Sequence, residues 1–132
     1  MRVVLDTNVI ISAFATRGLS AEVFEVCLTD HNIVISEHIL SEVKEKLISK
    51  IRLPQGIVQD VIAYLREQAE ICSPEEINSP LLRDKDDADI IGTALSGNVR
   101  FIITGDKDLL ILKKYKGIKI ITPREFWNYL RR

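Results

Sequence analysis

Four short apolar runs, Val3-Val4-Leu5, Ile33-Val34-Ile35, Phe101-Ile102-Ile103 and Ile118 to Ile121, are separated by segments of helical periodicity. Runs of this length, unbroken by polar residues, suit strands buried on both faces. The helical patterns start near Asn8, cover Ala21 to Leu28, and run from about Glu37 to Ile51 behind Ser36, which is placed as a cap. Further patterns cover about Ile57 to Glu70, Asp86 to Ser96, Leu109 to Lys114 and Arg124 to Arg131. Ser73-Pro74 and Asn78-Ser79-Pro80 bracket a loop. Parallel strands need a crossover between them, and helices supply it. The alternation therefore predicts an α/β fold, a three-layer α/β/α sandwich around a central, mainly parallel sheet.

At 132 residues the chain is read as one domain spanning residues 1–132, large enough for a real core. The formal net charge is −1, so no global basic field marks a dedicated nucleic-acid binder. Contact with nucleic acid would have to be local, or run through a metal. Cys27 and Cys72 have neither metal-ligand nor disulfide-framework spacing and are read as reduced, buried thiols. No apolar run approaches membrane-spanning length, and Arg2-Val3-Val4-Leu5 follows Met1 with no leader. A cytoplasmic location is the expectation.

Acidic residues recur where strands end or helices begin. Asp6 closes the first apolar run, and open α/β sheets place ligands beyond the carboxyl ends of their strands. Asn8 could cap the following helix, which leaves Asp6 poorly explained by structure alone. Asp87 is selected by periodicity, because Ile90, Ile91, Ala94 and Leu95 follow it on one helical stripe. Asp86 reads as the helix N-cap and Asp89 as a favourable charge near the helix start. Asp84 fits either a cap or an outer ligand. Asp106 follows Thr104-Gly105 and fits a cap as well as a site; Asp108 fits a first-turn acid or a carboxylate supporting the site. On the third helix, Glu42 flanks a core stripe of Ile39, Leu40, Val43 and Leu47, and periodicity does not choose it over Glu37 or Glu45.

A parallel sheet would bring Asp6, Glu42, Asp87 and Asp106 to one edge. Converging carboxylates raise one another's pKa values unless protons or a cation intervene. Carboxylate oxygens are the ligands that Mg²⁺ and Mn²⁺ prefer. This points to metal-assisted phosphodiester chemistry. Local basic residues are Arg17 and Arg83 near loops, and Lys44, Lys46, Lys50 and Arg52 along and after the third helix. Lys113, Lys114, Lys116 and Lys119 read as a solvated surface. His31 and His38 have no nearby nucleophile or cysteine and are assigned surface or helix-end roles; Phe126 and Trp127 read as core anchors.

The motifs, taken in order, are Leu5-Asp6-Thr7-Asn8, Ser41-Glu42-Val43, Asp84-Lys85-Asp86-Asp87 before Ile90-Ile91-Gly92-Thr93-Ala94-Leu95, and Thr104-Gly105-Asp106-Lys107-Asp108-Leu109-Leu110. Their order and spacing resemble the PIN-domain nucleases, in particular the prokaryotic, VapC-like branch of toxin components. The resemblance extends to Ile121-Thr122-Pro123-Arg124-Glu125-Phe126. It implies a metal-dependent endoribonuclease that hydrolyses RNA with one or two Mg²⁺ or Mn²⁺ ions. Asp6, Glu42, Asp87 and Asp106 would be catalytic and metal-binding, with Asp84 and Asp108 as accessory ligands. Asn8 and Thr104 would orient a carboxylate or a water. Lys46, Lys50 and Arg17 are the RNA-binding candidates.

A bound divalent ion can lower the pKa of water enough for in-line attack on phosphorus, giving 5′-phosphate and 3′-hydroxyl ends. The resemblance also implies an antitoxin protein as partner and a homodimer or higher oligomer. The alternatives are an RNA-processing or decay nuclease that is not a toxin, and a catalytically silent scaffold binding RNA or protein. A phosphoacceptor domain would need paired acids after the first strand and a lysine ending the last. A phosphoaspartyl phosphatase would need Asp at position 8. Neither pattern is present.

Overall fold

The computed structural model describes residues 1–131. Six strands form one sheet in the order β3-β2-β1-β4-β6-β5. The central strands are the apolar runs: β1 (Arg2–Leu5), β2 (Asn32–Ile35), β4 (Phe101–Ile103) and β6 (Ile118–Ile121). They pair in parallel, with Leu5 opposite Ile103 and Ile103 opposite Ile121. Val3, Val4, Val34, Ile35, Ile102 and Ile103 are completely buried, as strands covered on both faces require. Two edge strands of two residues each complete the sheet. β3 (Glu70–Ile71) is parallel to β2, and β5 (Lys114–Tyr115) is antiparallel to β6.

The crossovers run outward from β1 in both directions. Helices α1 (Thr7–Ala15) and α2 (Leu19–Asp30) lead to β2 on one side. Helices α3 (Glu37–Ser49) and α4 (Gln55–Gln68) continue to β3, and α5 (Lys85–Ser96) returns the chain to β4 on the other side of β1. Right-handed crossovers in opposite directions put helices on opposite faces of the sheet, giving the three layers. α5 packs on β1, β2 and β4, while α7 (Pro123–Leu130) packs on α2. The point where the strand order reverses, between β1 and β4, opens a crevice at their carboxyl ends.

Several boundaries differ from the sequence reading. The short helix α6 is Lys107–Leu110, not Leu109 to Lys114, because the Asp106 side chain caps it by accepting a bond from the Asp108 amide at 2.9 Å. Lys114 then enters β5. The cap of α5 is Asp84, which accepts from the amides of Asp86 (2.7 Å) and Asp87 (3.4 Å); Asp86 is not the cap but lies inside the first turn. Asn8 does not start α1, which begins at Thr7 with no side-chain cap at Asp6. Ser36 caps α3 as expected, accepting from the Ile39 amide at 3.1 Å. Both cysteines are free; Cys27 is buried and Cys72 is half-buried. Phe126 is fully buried, whereas Trp127 is only half-buried.

Gly92 lies inside α5 against the 73–80 loop, where its carbonyl accepts the Glu75 amide at 3.0 Å. A Cβ there would fall far inside contact with the Glu75 carbonyl oxygen and 3.0 Å from Pro74 Cβ. In an open helix, Gly→Ala stabilises by about 1 kcal/mol. Here the sign reverses, because backbone must move. Gly92→Ala is expected to destabilise by about 1–3 kcal/mol, measured by urea unfolding; a gain in stability would contradict this packing.

Candidate active site: a carboxylate cavity at the switch point

The register of the central strands sets Asp6 and Thr104 side by side. The Asp6 amide donates to the Ile103 carbonyl at 2.9 Å, and the Thr104 amide donates to the Ile121 carbonyl at 2.9 Å. Both residues therefore emerge one step past their strands. The buried Thr104 hydroxyl donates to Asp6 Oδ2 at 2.6 Å and accepts the Asp106 amide at 2.9 Å. One side chain thus fixes the carboxylate of Asp6 and the backbone that carries Asp106.

A cavity of about 90 Å³ opens at this point, lined by Asp6, Thr7, Asn8, Glu42, Lys46, Asp84, Asp86, Asp87, Ile90 and Asp106. All four acids singled out from the sequence reach it. α3 supplies Glu42, α5 supplies Asp87, and the two strand ends supply Asp6 and Asp106. Asp84 lines the cavity as well as capping α5, so its two readings are compatible. Of the three acids on α3, Glu37 pairs with Arg66 instead, at 2.5 and 3.0 Å.

The electrostatics are those of crowded, partly desolvated carboxylates. Asp87 is pushed up to about 7, first by burial and then by the charges of Asp106, Asp84, Asp6 and Asp108. Burial also raises Asp6, against the hydrogen bond from Thr104 that lowers it. Glu42 is raised by burial and by the charge of Asp86. A set of acids held above their ordinary values in one cavity suits protons or a cation. The donor set is all oxygen, which fits a hard divalent ion.

The remaining candidates divide. Lys46 lines the cavity and donates to Asn8 Oδ1 at 3.1 Å. Asn8 therefore holds a lysine at the cavity. Lys50, Arg17 and Asp108 are exposed and do not line the cavity; Asp108 contributes by its charge on Asp87 and by its amide on Asp106. Asp89 accepts from the Ser36 hydroxyl at 2.6 Å, tying the start of α3 to α5.

Two residues were not found by sequence reasoning. Thr7, 2% exposed, donates to Glu42 Oε1 at 3.1 Å, positioning that carboxylate as Thr104 positions Asp6. A threonine directly after a strand-end Asp was the available sign. His38, assigned a surface or helix-end role, is exposed in the first turn of α3, and it also lies 2.7 Å from Asp86 Oδ1 and 3.8 Å from Glu42 Oε1. Its partner comes from α5, so nothing local marked it. Asp86 holds the imidazole pKa above its usual value, and the imidazole in turn lowers Asp86.

The chain is similar in structure to a chain of VapBC-1 from nontypeable Haemophilus influenzae, with TM-score 0.65 and 20% identity over 94% of this chain and 99% of that one. It is likewise similar to a chain of VapBC2 from Rickettsia felis, solved bound to a DNA fragment from their promoter, with TM-score 0.62 and 17% identity over 92% and 98%. No curated protein sequence matches the chain. The PIN domain family profile matches residues 2–108, from the start of β1 to Asp108. That span contains every acid of the cavity, and the chain belongs to the PIN domain family.

Proposed function

We propose that the chain is a metal-dependent endoribonuclease acting as the toxin component of a toxin–antitoxin pair. The observation that carries the nuclease reading is the convergence of Asp6, Glu42, Asp87 and Asp106 on one cavity at the carboxyl edge of the sheet. Membership of the PIN domain family supports hydrolysis, and the fold shared with VapBC chains supports the toxin role and an antitoxin partner. No helix among the described residues is long and apolar enough to cross a membrane.

Asp6, Asp87 and Asp106 would hold Mg²⁺ or Mn²⁺, with Glu42 and Asp84 completing the oxygen set. A bound divalent ion supplies charge neutralisation at the phosphate and a water of lowered pKa. The protein's own work is orientation. Thr104 and Thr7 fix the carboxylates of Asp6 and Glu42, so the ligands are in place before the ion arrives. Lys46, held over the cavity by Asn8, is the cation placed to meet a phosphodiester oxygen. RNA fits this arrangement through its backbone, without a basic field over the whole surface.

Cleavage of a mixed structured RNA with Mn²⁺ or Mg²⁺ tests this reading, comparing wild type with Asp6→Asn. Cleavage that requires metal, leaves 5′-phosphate and 3′-hydroxyl ends and disappears in the variant is expected. Equal cleavage by both proteins, or a 2′,3′-cyclic phosphate on the wild-type product, would overturn it.

A further inference from the structure

His38 and Asp86 are used by none of the chemistry above. His38 lies in the first turn of α3, four residues before Glu42, so the helical repeat puts both side chains on one face. Asp86 approaches from the first turn of α5. One ligand atom from each of His38, Glu42 and Asp86 lies within 4.8 Å of the others. We propose that these three residues form a transition-metal site at the rim of the carboxylate cavity, distinct in chemistry from the all-oxygen set of Asp6, Asp87 and Asp106. It shares Glu42 with the proposed nuclease site but does not depend on RNA being the substrate.

The ligand set decides the kind of ion. Mg²⁺ takes oxygen ligands in near-ideal octahedra, whereas imidazole nitrogen suits the later first-row ions. One nitrogen and two carboxylates would accept Mn²⁺, Co²⁺, Ni²⁺ or Zn²⁺ and discriminate against Mg²⁺. The side chains of His38 and Asp86 are 44% and 54% exposed, so an ion can enter and keep open positions for water or phosphate. A simple His38–Asp86 ion pair would account for two of the residues. It does not account for Glu42, which Thr7 holds in place beside the imidazole.

The backbones carrying the ligands are themselves fixed. Ser36 caps α3 and donates to Asp89 on α5, which sets the spacing between the two helices at this point. Asp84 caps α5 through the amide of Asp86. The donors therefore converge from two anchored helix starts. Metal binding would require that the His38–Asp86 hydrogen bond give way to two bonds to the ion and that protons held on the imidazole or on Glu42 be released.

The test uses Co²⁺ as probe and visible absorption with calorimetry as readout, on folded protein checked by circular dichroism. The background is Asp6→Asn/Asp106→Asn, which removes two acids of the main cavity and leaves the proposed ligands. One equivalent of Co²⁺ is expected to bind there with d–d absorption. Adding His38→Ala or His38→Asn is expected to weaken binding at least about tenfold, while leaving Mg²⁺ binding by otherwise wild-type protein unchanged. Co²⁺ affinity indifferent to both His38 substitutions, or no Co²⁺ bound in the Asp6→Asn/Asp106→Asn background, would overturn the site and leave a surface ion pair only. RNA cleavage by wild type is scored separately. Its absence alongside His38-dependent Co²⁺ binding would defeat the nuclease reading and leave this one standing.

Discussion

Asp87→Asn is expected to make the metal-free protein more stable and to abolish RNA cleavage. The carboxyl of Asp87 is held up to about 7 by burial and by Asp106, Asp84, Asp6 and Asp108, so at pH 7.5 it is largely ionised against its surroundings. In the unfolded chain it ionises without that penalty. The folded state alone bears the cost, and an asparagine of the same shape removes it. The group is partly solvated, so screening reduces the gain to about 1 kcal/mol. That corresponds to a rise in Tm of roughly 3–5 °C, measured at pH 7.5 in the presence of a chelator.

The same substitution removes a proposed ligand, and cleavage is expected to fall at least about 100-fold. An aspartate present only to favour the start of α5 would behave in the opposite way. Its loss would cost a few tenths of a kcal/mol of helix-dipole interaction and leave activity alone. A lower Tm with cleavage retained would therefore return Asp87 to a structural role. The Tm is read without RNA or metal, so the two halves of the prediction are independent.

How much of this was legible before folding depended on whether the evidence was local. β1, β2, β4 and β6 announced themselves as unbroken apolar runs, because a strand buried on both faces has no reason to alternate. β3 and β5 did not. Glu70 and Lys114 are exposed, and two-residue edge strands exist only through the neighbour they pair with. Asp87 was selected by the stripe of Ile90, Ile91 and Ala94 behind it, and that stripe is buried in the structure. The cap of α5 was misassigned because Asp84, Asp86 and Asp87 crowd four positions and cap preference ranks them equally. The 73–80 loop, which approaches through the close contact at Gly92, had no local mark of its path. Glu42 could be chosen over Glu37 and Glu45 only by resemblance; the structure gives the reason, since it alone of the three reaches the cavity. His38 meets Asp86 across 48 residues of chain, a separation over which no periodicity carries information.

The metal-free protein should lose stability as the pH rises, and a divalent ion should reverse the loss. Asp6, Glu42 and Asp87 all have folded pKa values raised above their ordinary ones, with burial the leading cause. Between the unfolded values near 4 and the Asp87 value of about 7, these three carboxyls hold more protons in the native state than in the unfolded chain. Asp86 and Glu37, lowered by His38 and Arg66, act oppositely near the acid end. The contribution of the three raised carboxyls to stability then falls with increasing pH across that window. This is the reverse of an ordinary salt-bridged carboxylate, whose contribution disappears on acidification. His38, raised by Asp86, adds a further loss in the same direction as it deprotonates above its usual value.

An ion bound by these carboxylates competes with the protons, so its stabilising effect should be small near pH 5 and large near pH 7.5. At a hundredfold excess over the dissociation constant the gain is about 2.7 kcal/mol. Thermal unfolding at several pH values, with chelator and then with Mg²⁺, measures both curves. The expected result is a metal-free curve that declines as the pH approaches the Asp87 value of about 7 and a metal-dependent Tm increment that grows with pH. An increment independent of pH would mean that the ion binds away from the raised carboxylates. Asp6→Asn/Asp106→Asn would separate the cases further, because it should lessen the metal-free decline, which buried Asp87 and Glu42 still carry, and remove most of the Mg²⁺ increment. A lessened decline with the Mg²⁺ increment intact would detach these acids from the metal altogether.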